Sequence, residues 1–144
     1  RRAWRCHGVD GRSGGLFVGG GWARVARGKA PVRGVVVHGL LASCRFDIGQ
    51  ARRLVYRTVW LIGKYGAKGA RTGIAAIKVA APAMATAVVD RAIEVFGGAG
   101  ISDDTPLAYF YAWARSLRIV DGPDAVHRRS IAREELKRER PFVG

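Results

Sequence analysis

Residues Ala92–Leu136 read AIEVFGGAGISDDTPLAYFYAWARSLRIVDGPDAVHRRSIAREEL, and two glycine-marked turns divide them into helices. The first turn, Glu94-Val95-Phe96-Gly97-Gly98-Ala99-Gly100-Ile101, ends a helix sharply, because glycine has no Cβ to penalise left-handed backbone. Thr105-Pro106 opens the next helix, with Thr placed as N-cap and Pro at the first helical position. Leu107, Phe110, Tyr111, Ala114 and Leu117 give that helix an apolar face. The second turn is Ile119-Val120-Asp121-Gly122-Pro123-Asp124-Ala125-Val126-His127. Pro123 and Asp124 start the last helix, the carboxylate lying near the positive end of its dipole. Ala125, Ala132 and Leu136 are expected to share one face, and Glu134 with Arg138 forms an i,i+4 pair.

Working upstream, the spacing predicts a helix over Thr72–Phe96. Ile74, Ile77, Ala81, Met84, Val88, Ala92 and Val95 recur at steps of three and four, which is one face of a helix. Pro82 lies inside it, removes one backbone donor and predicts a kink. A further helix starts near Phe46. Ala51, Leu54, Thr58, Leu61 and Tyr65 form its stripe, Val55, Val59 and Ile62 widen it, and Gly66 and Gly69 end it. Four helices with short connections predict an all-α fold, a four-helix bundle over residues 46–140.

Residues 1–45 differ in texture. They hold nine of the 25 Lys/Arg, one of the 11 Asp/Glu and ten of the 20 glycines. Gly14-Gly15 and Gly19-Gly20-Gly21 interrupt any helix. Val35-Val36-Val37 and Leu16-Phe17-Val18 are short strand candidates without a clear partner. This segment is expected to be poorly structured or not native to the fold.

The net charge of +14 points toward nucleic acid, anionic lipid or an acidic ligand. Cys6 and Cys44 are too few and too far apart for a disulfide framework or a zinc site. No uninterrupted apolar run approaches the ~18 residues of a spanning helix, so no membrane association is expected. Arg1-Arg2-Ala3-Trp4 is not followed by the apolar stretch of a signal peptide. The expected location is the cytoplasm. The chain begins with Arg rather than Met, which reads as a fragment.

The turns also carry the candidate chemistry. Dense glycines let a backbone approach a ligand closely, although a glycine-rich helix end needs no ligand. The pattern follows a helix, so it is not a dinucleotide fingerprint. Asp121, flanked by apolar residues in an interhelical turn, is a candidate general base. The alternative is a turn Asp that caps the helix after it.

Taken together and in this order, V-F-G-G-A-G-I, a short helix, I-V-D-G-P-D-A-V-H and I-A-R-E-E-L resemble the C-terminal helical domain of acyl-CoA dehydrogenases. The resemblance spans roughly Phe46–Arg138, about two-thirds of the chain. The D-G-P-D-A-V-H turn is most similar to the subgroup carrying D-G-P-D-E-V-H, and A-A-I-K-V-A-A-P fits it too. The resemblance implies an FAD-dependent oxidoreductase of the CH–CH group of acyl-CoA thioesters, as in fatty acid β-oxidation. Asp121 then stands where most members carry the Glu that removes the α proton, and Gly122 lies beside the acyl thioester. Pro123, Asp124 and Ala125 match the segment on the adenosine side of the flavin. Glu94, Val95, Phe96, Gly97 and Gly98 match the segment that receives the ADP part of FAD from a neighbouring subunit. Glu94 replaces the usual Gln, and Pro123 has no N–H to donate.

Implied partners are the acyl-CoA substrate, further copies of the chain in a dimer or tetramer, and an electron-transfer flavoprotein. The family's N-terminal helical and middle β domains are not recognisable, so the chain by itself is expected to be inactive. Two other readings stand beside this one. A basic nucleic-acid-binding module would need Arg52, Arg53, Arg57, Arg128, Arg129 and Arg133 to act as a patch, although Glu134, Glu135 and Glu139 follow the last group. It is the less favoured of the partner readings. A non-catalytic helical assembly subunit would leave Asp121 in solvent with no cleft beside it.

Overall fold

A computed structural model of the chain describes residues 35–138, and all its regular elements are helices. They are α1 (Val35–Gly69), α2 (Arg71–Phe96), α3 (Gly98–Ile101), α4 (Leu107–Ser116) and α5 (Asp124–Arg138). Among the described residues the bundle is thus four substantial helices and one single turn. The strand candidate at Leu16–Val18 and the segment before Val35 lie outside the described residues.

α1 begins at Val35, well upstream of Phe46, where the apolar stripe first becomes clear. Val37 and Cys44 of this added length are buried on one face with Ile48, and Leu40 and Leu41 pack beside them. Their steps of three and four are helical, but Gly39 and the glycine-rich text before it hide the period. Val35-Val36-Val37 therefore starts a helix rather than a strand. Gly66 leaves helical dihedrals at φ 71° and ψ 174°, so the expected glycine stop is a kink near the end of α1. Gly66 O accepts from Ala70 N–H at 3.1 Å and Ala70 O from Ile74 N–H at 3.0 Å, which leads the chain into α2.

α2 is the centre of the molecule. It packs against α1, α3, α4 and α5, whereas contacts among those four are few, the main pair being α3 with α4. Small side chains make this possible, since neighbours approach an alanine-rich helix closely from several sides. At one end, Thr58 of α1 is 1% exposed and its hydroxyl donates to Leu54 O at 2.8 Å. A Cβ on Gly73 of α2 would stand 2.7 Å from that hydroxyl oxygen, so the two helices cross there on a glycine. At the other end, Val88, Ala92 and Val95 of α2 meet Val37, Cys44 and Ile48 of α1 and Leu107 of α4. Full burial of a Val, Leu or Ile among them contributes about 1.5–3 kcal/mol. α2 runs as one element through the buried Pro82, whose carbonyl accepts from the Thr86 hydroxyl at 2.8 Å.

α2 also corrects the expectation that nothing is apolar enough to span a bilayer. An 18-residue window within Arg71–Phe96 has mean hydropathy 1.6, long and apolar enough by composition. Alanines spread through the helix raise the mean without forming a run. Only 17% of that window is buried, so this central helix keeps surface for further packing.

Polar contacts fix the helices in register. Arg91 of α2 pairs with Asp47 of α1 at 2.6 Å and reaches the Cys44 sulfur at 3.7 Å. The hydrogen bond to Asp47 raises the Arg91 pKa above its ordinary value, against the opposing pull of burial. Lys78 donates to Leu117 O at 2.6 Å, where a cation meets the negative end of α4.

Two helix faces differ from expectation. In α5, Ala125, Ala132 and Leu136 are exposed, while Asp124, His127, Ile131 and Glu134 are half-buried along one face. The ion pair between Arg118 and Asp124 and the contact between His127 and Asp121 turn the helix this way. Glu134 pairs with Lys137 at 2.9 Å. In α1, Val59, Ile62 and Tyr65 are exposed rather than part of the buried stripe, and so is Ile74 in α2. Lys64 Nζ lies 5.1 Å from the Trp60 ring and 5.0 Å from the Tyr65 ring.

The Gly73 crossing gives a direct prediction. Gly73→Ala forces a methyl against Thr58 and is expected to destabilise the chain by about 1–3 kcal/mol, as overpacking does. A urea titration reads this as a lowered midpoint. An unchanged midpoint would show that α1 and α2 do not meet at Thr58.

Candidate functional site

The glycine turn closes α2 from within. Gly97 adopts φ 60°, its N–H donates to Ile93 O at 2.8 Å, and its carbonyl accepts from Gly100 N–H at 2.8 Å. A Cβ at Gly100 would stand 2.9 Å from the Ile93 backbone, so this glycine answers a packing need. Thr105 does not cap α4. Its hydroxyl donates to Ala99 O at 2.9 Å, and Ser102 Oγ donates to the same carbonyl at 3.2 Å. The α4 cap position falls to Pro106, whose carbonyl accepts from Phe110 N–H at 3.0 Å. Two hydroxyls thus tie the loop back onto the glycine turn.

Of the residues expected to face a cofactor here, Val95 is buried in the core and Phe96 packs against it. The Val95 side chain is therefore turned inward, while Phe96 keeps part of its surface exposed. Glu94 and Gly98 are exposed, and Gly97 is partly so. Nothing lies within 4 Å of the Cβ that Gly98 lacks, so its backbone is open to close approach.

The second turn joins α4 to α5. Asp121 has φ 55°, the one non-glycine residue with positive φ among those described, and Gly122 follows at φ 98°. Such backbone in a residue with a Cβ costs on the order of 1 kcal/mol and persists where surrounding contacts impose it. The contacts are specific. Arg118 Nε and Nη2 reach Asp124 Oδ2 at 2.8 and 2.7 Å, and Asp124 N–H returns to Arg118 O at 3.3 Å. His127 Nε2 lies 3.2 Å from Asp121 O. Asp121, Pro123 and Ala125 are exposed, while Gly122 and Asp124 are half-buried. Sequence reading missed Arg118 and His127. Their spacing to Asp124 and Asp121, six residues in each case, crosses a turn and matches no helical period.

Asp124 Oδ1 is buried with no hydrogen-bond partner. A buried acceptor left unmade costs about 1–3 kcal/mol, and a hydroxyl or N–H donor would satisfy it. Flavin adenine dinucleotide offers such donors in its sugar hydroxyls and adenine amino group. Glu94 is likewise an acceptor. There is no Lys or Arg from Ala92 to Ala114, so the glycine turn has no cation of its own for phosphates. These residues fit the polyol and adenine parts of the cofactor. They do not supply charge for its pyrophosphate. No group of three or more His, Cys, Asp or Glu suited to a metal occurs among the described residues.

Two clefts lie elsewhere. A groove of about 410 Å³ between α1 and α2 is lined by Asp47, Gln50, Leu54, Met84 and alanines. A smaller one, about 150 Å³, lies between Arg71 and Thr72 of α2 and Ser130, Arg133 and Lys137 of α5. Neither is lined by Asp121.

The sequence and fold have known counterparts. Residues 19–136 match the family model described as acyl-CoA dehydrogenase, C-terminal domain, so the match starts upstream of the residues described structurally. The Mycobacterium tuberculosis protein named probable acyl-CoA dehydrogenase FadE2 is 52% identical over 117 residues, 81% of this chain and 29% of that protein. Acyl-CoA dehydrogenase family member 10 of Mus musculus is 46% identical over 117 residues, 81% of this chain and 11% of its own length. Butyryl-CoA dehydrogenase from Megasphaera elsdenii superposes with a TM-score of 0.79 at 25% identity, covering 89% of this chain and 33% of that one. The chain spans a third or less of the length of these relatives. With the model matched across most of its length, the chain belongs to the acyl-CoA dehydrogenase family and corresponds to its C-terminal helical domain.

Proposed function

We propose that this chain carries the general base for FAD-dependent α,β-dehydrogenation of acyl-CoA thioesters. The observation that carries the reading is Asp121, an exposed carboxylate at a turn of strained backbone, in the position where the family resemblance puts the base. Strained backbone held by surrounding contacts clusters at working positions, which supports this reading. The Asp121 carboxylate removes the α proton and becomes the carboxylic acid. Gly122, without a side chain, lets the thioester pass close to the backbone. FAD, when bound, supplies the acceptor for the hydride that leaves the β carbon. Glu94, Gly98 and Asp124 would contact its adenosine and sugar groups.

Asp121 stands open here, and neither cleft adjoins it. By itself the chain is therefore expected to turn over little acyl-CoA, because neither of these clefts among the described residues would position the substrate at Asp121. Homo-oligomeric assembly would cover the exposed Tyr56, Trp60, Tyr109 and Trp113, and an electron-transfer flavoprotein is the proposed acceptor of the electrons. The same openness favours the second reading, a non-catalytic helical assembly subunit. Nucleic-acid binding has less support, since Glu134 and Glu135 break the basic run of α5.

A chimera separates the two leading readings. Residues 46–138 replace the matching part of a full-length relative, and bleaching of the flavin absorbance by acyl-CoA is followed without oxygen. Bleaching is expected, with Asp121→Asn slowing it by about 10²–10⁴, the range of a lost general base. An Asp121→Asn chimera that bleaches equally fast would contradict the assignment. In the chain itself, Asp121→Gly relieves the left-handed strain. Its thermal unfolding midpoint is expected to stay the same or rise, by up to about 1 kcal/mol of stability; a clear fall would show that Asp121 is there for stability.

A further inference from the structure

The turn between α4 and α5 starts with Ile119 and Val120 N–H donating to Ser116 O at 2.9 and 3.0 Å, and three longer-range contacts fasten it, only one of which touches Asp121. Lys78 of α2 holds Leu117 O at 2.6 Å, just before the turn. Arg118 and Asp124 close its base through the ion pair and the returning backbone bond. Neither these contacts nor the Ser116 bonds engage the Asp121 carbonyl. The remaining contact is His127 Nε2 to Asp121 O at 3.2 Å.

His127 is well placed to decide the apex. It lies half-buried one turn into α5, on the inward face with Ile131 and Glu134. Gly122 makes room for it, since a Cβ there would stand 3.2 Å from His127 Nε2. A carbonyl oxygen only accepts, so Nε2 must carry a hydrogen for the contact to be a bond. Either the Nε2–H neutral tautomer or the imidazolium serves, whereas the Nδ1–H tautomer would set a lone pair against the carbonyl.

We infer that His127 is a positioning residue for Asp121: its Nε2–H bond to the Asp121 carbonyl fixes the left-handed backbone that aims the carboxylate. Asp has a short side chain with two rotatable bonds, so the direction of its Cα–Cβ bond sets where the carboxylate lies. A change from positive to negative φ would carry the carboxylate to another side of the turn, a far larger error than the ~1 Å that costs a hundredfold in rate. The functional meaning of the inference rests on Asp121 being the base, but the contact itself is testable without activity.

Nuclear magnetic resonance on the 144-residue chain tests it. Long-range ¹H–¹⁵N correlations report the protonated ring nitrogen of His127. The HN–Hα coupling and ¹³C shifts of Asp121 report its φ. The expected result is a hydrogen on Nε2 and a single positive-φ conformer at Asp121. His127→Phe, which keeps a ring and removes the donor, is expected to lose the positive-φ signature. His127→Gln, whose side-chain amide can donate to the same carbonyl, is expected to restore it. A role confined to packing would lower the unfolding midpoint of His127→Phe and leave the Asp121 signals unchanged, which would overturn the inference. So would an Nδ1–H tautomer in the wild-type chain, a measurement that needs no variant to fold. The chimera decides the base and these spectra decide the contact, so either can fail alone.

Discussion

α2 packs against all four other helices, helped by its many alanines and by Gly73 at the crossing with α1, and the other helices depend on it. α1 meets it at both ends, through Thr58 against Gly73 and through Ile48 and Val37 against the Val88–Val95 region. α4 is attached through Leu107 in the core and Lys78 at its end. Contacts between the outer helices are few, so they have little to hold them once α2 is disturbed. Close packing of small residues leaves little freedom for volume change, and this is the constraint the fold obeys.

The candidate site follows from that arrangement. Gly97 ends α2, and the hydroxyls of Ser102 and Thr105 bind the loop back to Ala99 O at that end. Lys78, within the first half of α2, holds the carbonyl from which the Asp121 turn departs. Both glycine-marked turns are therefore anchored on a single rigid element, which suits groups that must be held in fixed geometry. The strain at Asp121 is supported by this frame and by the Arg118–Asp124 ion pair.

The helices were legible in the sequence because their interruptions are chemical. Gly66, the Gly97–Gly100 run, Pro106 and Gly122-Pro123 each mark a break by backbone conformation or a missing N–H. The start of α1 was not legible, because Gly39 and the glycines before it mask the Val37, Leu40, Cys44, Ile48 period. The facing of α5 was not legible either. Its rotation is set by Arg118 and His127 reaching across a turn, and polar contacts between non-periodic positions leave no hydrophobic signature. The same limit applies to the site. Motif resemblance singled out Asp121 and the glycine turn, yet only packing shows that Val95 belongs to the core with Phe96 beside it and that Asp124 keeps one oxygen unsatisfied.

The claim on which the rest stands is that α2 holds the bundle together. Native-state hydrogen exchange measures this most directly, since the slowest amides report the last structure to open. The amides around Val88, Ala92 and Val95 of α2 are expected to exchange only through global unfolding, with α4 and α5 opening at lower free energy. Amides of α4 or α5 that outlast those of α2 would contradict the account.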